Sequence, residues 1–272
     1  MKKLYFSFFL VLSLLFVFSV FVKRVYSEEL TFGRAYQDYQ YNLDLYNKAH
    51  ADYELAKASY LQYKTLVSKN NAQEKTLTML SARDQVAITY LTALRTRLKE
   101  VGGVPDDKKQ ELFGLIDSEV SWFLNHKQNL SSAGSLDDLV SDSNEVKAHF
   151  PSVELLIYKT LTQISVGKVE AIRVEEFNIL NNLKAKIAEI KANGDKDTSI
   201  AERGTLEVES RLGRSQSKNN EALGVIATTK LEDTNKEDQY TSALDIVGAS
   251  LQYLKDAGAF FAQIIINIET KD

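Results

Sequence analysis

Phe32, Tyr39, Tyr46, Tyr53, Tyr60 and Val67 recur at every seventh residue, and Tyr36, Leu43 and His50 interleave them at steps of three and four. That spacing keeps side chains on one face of an α-helix. It predicts a helix from about Leu30 to Ser68, ended by the polar run Lys69-Asn70-Asn71. A second seam follows at Leu77, Leu80, Ala87, Leu91, Leu94, Leu98 and Val101. Its phase is one residue away from the first, so the two segments do not share one continuous coiled-coil face and read as a helical hairpin. Gly102-Gly103 stops the second helix, and Pro105 with Asp106 and Asp107 opens a third, where acids meet the positive end of the helix dipole. That helix carries Leu112, Phe113, Ile116, Val120, Trp122 and Phe123 and fades near Lys127.

Ser131 to Gly134 reads as a loop, and Ser135 with Asp138 as the N-cap of a short helix bearing Leu136, Leu139 and Val140. Pro151 begins or kinks the next helix, and Gly167 marks a second weak point. Val169, Ile172, Phe177, Leu180, Leu183, Ile187 and Ile190 then carry a helical stripe to the stop signal Asn193-Gly194. Ser199 and Glu202 have capping-box spacing. Beyond them Tyr240, Leu244, Val247, Leu251, Leu254, Gly258, Phe261, Ile265 and Ile268 keep strict four-three spacing, with Leu212, Leu223 and Ile226 in the same register. The polar stretches Gly213 to Glu221 and Glu232 to Gln239 interrupt the apolar residues without shifting the register, which predicts one long or gently broken helix with a solvated middle. The expected architecture is all-α. A base bundle takes residues 28–166 with 225–272, and residues 168–223 form a protruding coiled-coil hairpin folded at Gly194.

The N-terminal stretch has a different character. Lys2 and Lys3 precede uncharged, mostly apolar residues from Leu4 to Val22, followed by Lys23-Arg24-Val25-Tyr26-Ser27. Residues 1–27 read as an export signal, with Val25 and Ser27 placed for cleavage before Glu28. The alternative is an uncleaved membrane anchor, since the apolar run is nearly long enough to span hydrocarbon and is flanked by basic residues on both sides. Either reading predicts an extracytoplasmic body that meets a membrane only through this segment.

Composition sharpens the class. Two prolines and twelve glycines in 272 residues leave few helix breakers, and 44% hydrophobic content suffices for a buried core. The chain has no cysteine, which removes disulfides, thiolate metal sites and a cysteine nucleophile. Setting aside Lys2, Lys3, Lys23 and Arg24, 29 basic residues face 37 acidic ones, so the body carries −8 and suits no nucleic-acid backbone.

Candidate chemistry is sparse. The three histidines are His50, His126 and His149, and none follows a glutamate at the spacing of carboxylate-bridged di-iron bundles. His50 with Glu54, and Glu145 with His149, lie one helical turn apart, a spacing that fits a shared metal less well than a solvated ion pair. Phosphate-cradling, dinucleotide-binding and serine-hydrolase glycine patterns do not occur, so the expectation is a non-enzymatic protein without cofactor. The tyrosines are the unusual feature: seven of thirteen lie between Tyr36 and Tyr63. Rungs at heptad positions are expected in the wall of the bundle, rings buried and hydroxyls wet, with the apolar face Phe260 to Ile268 packed against part of them. Tyr41 and Tyr63 fall off the seam and are candidate partner contacts, together with Asn193 and Asp195 at the hairpin tip.

The phrases Thr89-Tyr90-Leu91-Thr92-Ala93-Leu94-Arg95 and Asp117-Ser118-Glu119-Val120-Ser121-Trp122-Phe123, with the spaced tyrosines, resemble a group of uncharacterised exported all-helical proteins of candidate-phyla bacteria. The resemblance implies an exported helical protein and no particular activity or site. The expected function is a scaffold or interaction protein of the cell envelope, with a protein or envelope component as partner; heptad faces also admit a homo-oligomer. The alternative is a sensor-like bundle binding a ligand in an aromatic pocket lined from Tyr36 to Tyr63.

Overall fold

The computed structural model describes residues 30–130, 134–194 and 196–269. The predicted signal or anchor, residues 1–27, lies outside the described residues. The described residues from Phe32 onward form one compact unit. Among the described residues there are six helices and no strand: α1 Phe32–Tyr63, α2 Leu66–Glu100, α3 Asp106–Asn129, α4 Leu136–Asn193, α5 Ser199–Thr228 and α6 Lys236–Glu269. The protein is thus an all-α helical bundle. None of these helices is long and apolar enough to cross a membrane.

The reversal between α1 and α2 comes at Lys64-Thr65, earlier than the expected break at Lys69 to Asn71. Lys64 takes a positive φ of 50°, and Thr65 and Ser68 form a reciprocal capping box, each side chain bonded to the other's backbone N–H at 3.1 Å. Once that cap has started the helix, Asn70 and Asn71 sit exposed in its first turns at little penalty. α1 returns along α2 so that the Phe32 N–H donates to the Glu100 carboxylate at 2.7 Å, supplying the negative charge that the first turn of α1 lacks.

Within α1 the buried residues are Ala35, Ala49 and Ala56. Their heptad row alternates with Phe32, Tyr39, Tyr46, Tyr53 and Tyr60, which are half-buried. The expected interleaving row was Tyr36, Leu43 and His50, one residue later; Tyr36 and His50 are exposed instead. Small side chains at the centre of a helix contact let the axes approach closely, and the bulky rings then flank the seam. α6 repeats the pattern: Val247, Leu254 and Phe261 are buried as expected, but the row between them is Ala243, Ser250, Ala257 and Ile264 rather than Leu244, Leu251, Gly258 and Ile265.

α4 runs unbroken for 58 residues, about 87 Å at the usual rise, and contains both Pro151 and Gly167. The short helix at Leu136, the helix at Pro151 and the stripe beyond Gly167 are therefore one element. Its caps are those the sequence predicts: the Ser135 hydroxyl accepts from the Asp138 N–H at 3.2 Å, and Gly194 ends it in the left-handed region at φ 71°. The start of α5 differs from the predicted Ser199–Glu202 box. Asp197 accepts from the Ser199 N–H at 2.9 Å, and Glu202 accepts from the Thr198 hydroxyl at 2.9 Å.

The first part of α4 packs with α2 and α3 around Leu94, Leu98, Ile116, Phe123, Val153 and Ile164, and α1 closes that bundle over Leu80, Leu130 and Leu139. The second part packs with α5 and α6 around Leu180, Val208, Leu212, Leu254 and Phe261. A free two-helix hairpin over 168–223, with 225–272 in the base, is thus replaced by a three-helix bundle. The chain reverses between Thr228 and Lys236, where Asp233 accepts from the Lys230 N–H at 2.8 Å. α6 then runs antiparallel to α5, and its apolar face meets α4 and α5 rather than the tyrosines of α1. Near the junction of the two bundles the α2–α3 turn rests on α4 backbone to backbone. A Cβ on Gly103 would lie 2.1 Å from the Gly167 oxygen, and one on Gly167 would lie 2.3 Å from Val104.

Candidate functional site

The seams of α2, α3 and α4 each carry charged residues at core positions, and the fold brings these together. Asp84 continues the register of Leu80 and Leu91; Glu119 and His126 continue that of Ile116 and Phe123; His149 lies between Val146 and Val153. Asp84 is wholly buried, and its Oδ2 lies 2.6 Å from His126 Nδ1. The other imidazole nitrogen, Nε2, lies 3.1 Å from the backbone oxygen of Asp142. A backbone carbonyl only accepts, so Nε2 carries a hydrogen, and a single proton holds Nδ1 to the Asp84 carboxyl. Burial raises the Asp84 carboxyl above its ordinary range, opposed by the hydrogen bond to His126 and by the Arg83 guanidinium at 3.3 Å. Arg83 also reaches Ser143 on α4 at 3.2 Å.

Trp122 stacks with both imidazoles, its ring centroid 3.9 Å from that of His149 and 5.3 Å from that of His126. His149 Nε2 lies 2.5 Å from Glu119 Oε2. The partner of His149 is therefore Glu119 on α3, not Glu145 on its own helix. His50 sits on the surface of α1 between the rings of Tyr46 and Tyr53. Among the described residues no three carboxylates or imidazoles gather where they could hold a metal ion. Both nitrogens of His126 are engaged, so neither offers a lone pair to a metal or substrate while the cluster is intact. What the arrangement does chemically is to clamp α2, α3 and α4 together through shared protons and stacked rings.

Beside it lies a mostly apolar groove of about 340 Å³, lined by Tyr39, Tyr90, Phe123, Phe150, Val153 and Ile157 with Arg83 at its edge. Tyr39 meets Tyr90 edge to face at 5.2 Å. A second cleft, about 340 Å³, lies between α1, α2 and the start of α4 and is lined by Tyr53, Lys57, Tyr60 and Lys69 among others. The tyrosines of α1 thus divide between separate clefts and do not line one pocket.

Tyr41 is 65% exposed and Tyr63 is 63% exposed, so both present free rings, and Asn193 is exposed at the last position of α4. These positions lie on different elements and do not form one site; Asp195 lies outside the described residues. Sequence reasoning missed the Asp84–His126 pair, whose signal was a charged residue in the seam of each of two helices. It also missed the apolar end of the α1–α2 hairpin, where Leu61, Leu66 and Val67 are as exposed as Tyr63. No protein-family model, curated protein or solved structure matches this chain.

Proposed function

We propose that the protein is a non-enzymatic helical scaffold or interaction protein of the cell envelope, working outside the cytoplasm after export through its N-terminal segment. The observation that carries this reading is the exposed apolar end of the α1–α2 hairpin, where Leu61, Tyr63, Leu66 and Val67 face solvent, with Tyr41, Leu45 and Leu55 also exposed further back along α1. An apolar surface of this extent on a chain rich in charge is the usual mark of a contact. Incorporation of a photo-crosslinking residue at Tyr41 or Tyr63 in cells should yield adducts with envelope components. Adducts that are absent there, or a protein confined to the cytoplasmic fraction, would refute it.

The groove between Tyr39, Tyr90, Phe123 and Phe150 favours a second reading, a sensor-like bundle that takes a small apolar or aromatic ligand. Trp122 is the only tryptophan and is joined to the groove through Phe123, whose ring centroid is 5.0 Å from its own. Ligand entry then changes Trp122 emission and raises the melting temperature, and Phe150→Asp abolishes both responses.

A further inference from the structure

The end of the α1–α2 hairpin differs in chemistry from the rest of the body. Leu61 and Tyr63 close α1, Leu66 and Val67 open α2, and these side chains are 61%, 63%, 73% and 79% exposed. They follow one another around a two-residue turn, so they fan outward in several directions instead of forming the single stripe that a helix offers to a protein groove. Between Glu54 and Glu74 the sequence contains no acid but has Lys57, Lys64 and Lys69, a local charge of +3 in a chain of net −4. Lys57 and Lys69 stand about one turn behind the apolar residues, and Lys64 at the apex has a stem long enough to carry its ammonium back past them. Tyr53 and Tyr60 lie behind the tip in the same cleft as these two lysines, the position that amphipathic rings take at a membrane surface. Asp137, on the first turn of α4, lines the same cleft, and Lys57 is paired at the surface with Glu54 on its own helix at 3.4 Å.

We propose that this tip is a membrane-docking element that inserts into an anionic lipid surface. Leu61, Tyr63, Leu66 and Val67 enter the boundary between headgroups and acyl chains to a depth of about 5–10 Å, while the three lysines meet anionic headgroups. The positive tip and the negative body also set an orientation, because the remaining surface is repelled by the same lipids. The inference rests on the interaction reading above and names a partner for one end of α1. It adds a second membrane contact to the one expected from the N-terminal segment.

The absence of cysteine makes the test site-specific. In the full chain, Val67→Cys and separately Asn193→Cys are labelled with an environment-sensitive fluorophore and mixed with vesicles of phosphatidylcholine, with or without phosphatidylglycerol. Circular dichroism checks that each variant keeps its helices. The expected result is a blue shift and intensity gain at position 67 on phosphatidylglycerol vesicles only, with none at position 193. Lys64→Glu with Lys69→Glu should lower the partition coefficient read at position 67 at least about 25-fold, since each lysine contributes about fivefold at an anionic surface. Attachment of the chain by its N-terminal segment leaves this local readout unchanged. A silent label at 67, an equal response at 193, or equal responses on both kinds of vesicle would overturn the proposal. Tyr63 crosslinks to a protein, with the label at 67 silent on vesicles, would retain the interaction reading while removing lipid as the partner; loss of both signals would remove both.

Discussion

Asp84, wholly buried, and Glu176, half-buried, illustrate how differently two carboxyl groups behave in this protein. Asp84 is matched by His126 and Arg83, so truncating it leaves a buried imidazole and a partly exposed guanidinium without their carboxylate. Asp84→Ala should cost about 3–5 kcal/mol in urea unfolding, while Asp84→Leu combined with His126→Leu should cost well under the sum of the single changes, because no half-pair remains. Additive losses would show that the two do not act as a unit. Glu176 has no such partner: its Oε2 is buried without a hydrogen bond, and burial raises its pKa from 4.5 to about 7. Between those values the folded chain holds a proton that the unfolded chain has released, so stability falls as pH rises through the window. Glu176→Gln, which cannot ionise, should leave stability at pH 4 nearly unchanged and raise it at pH 8 by on the order of 1–2 kcal/mol, allowing for partial exposure of the side chain. Denaturant unfolding at the two pH values measures this, and a variant with the parent's pH slope would contradict it. Position 84 was legible in the sequence as an acid in a leucine seam. Its partner was not, because His126 lies 42 residues away and only the antiparallel packing of α2 and α3 brings the two rows level.

At the scale of elements, the sequence located the helices better than it located their buried rows. Tyrosine and leucine dominate the hydrophobic pattern, but alanine and serine occupy the centre of the α1 and α6 contacts, and neither stands out by hydrophobicity. The break between α5 and α6 escaped for a different reason. Ile226 and Tyr240 are separated by two full heptads, so a turn inserted between them leaves the register unchanged and reads as a polar helix. Glycines were ambiguous in the opposite sense. Gly167 looked like a place where a helix weakens, yet α4 continues through it because the α2–α3 turn needs the space that a side chain would fill. Gly167→Ala meets the buried Val104 side chain at 2.3 Å and the Gly102 oxygen at 3.0 Å, and should cost about 1–3 kcal/mol through overpacking. Gly103→Ala meets backbone atoms of Gly167 and Ala171 at 2.1 and 2.7 Å and also requires a φ of +72°, so its loss of melting temperature should be the larger of the two. The reverse order would mean that the turn adjusts more readily than the helix.

In the whole molecule α4 is the element common to both bundles, and this determines how a defect spreads. The two cores meet on that helix between Ile164 and Val169, and they are tied again where Tyr158 stacks on Tyr240 at 4.8 Å and Lys236 approaches Glu154 at 3.4 Å. Gly167 lowers the intrinsic helix preference of α4 by about 1 kcal/mol relative to alanine, which makes it the weak point at which one bundle opens while the other stays closed. Leu254 is buried entirely within the C-terminal core, among α4, α5 and α6. Leu254→Ala should therefore cost about 2–5 kcal/mol, and the loss should fall unevenly across the amides. In hydrogen exchange, α5, α6 and the part of α4 beyond Gly167 should exchange faster, while Leu91 to Leu98 and Ile116 to Phe123 keep their protection. Leu98→Ala should do the converse, exposing the N-terminal core and leaving α5 and α6 protected. Uniform acceleration from either substitution would mean that the unbroken α4, with the Tyr158–Tyr240 stack, couples the two cores into one cooperative unit, and that the chain cannot release one bundle without unfolding the other.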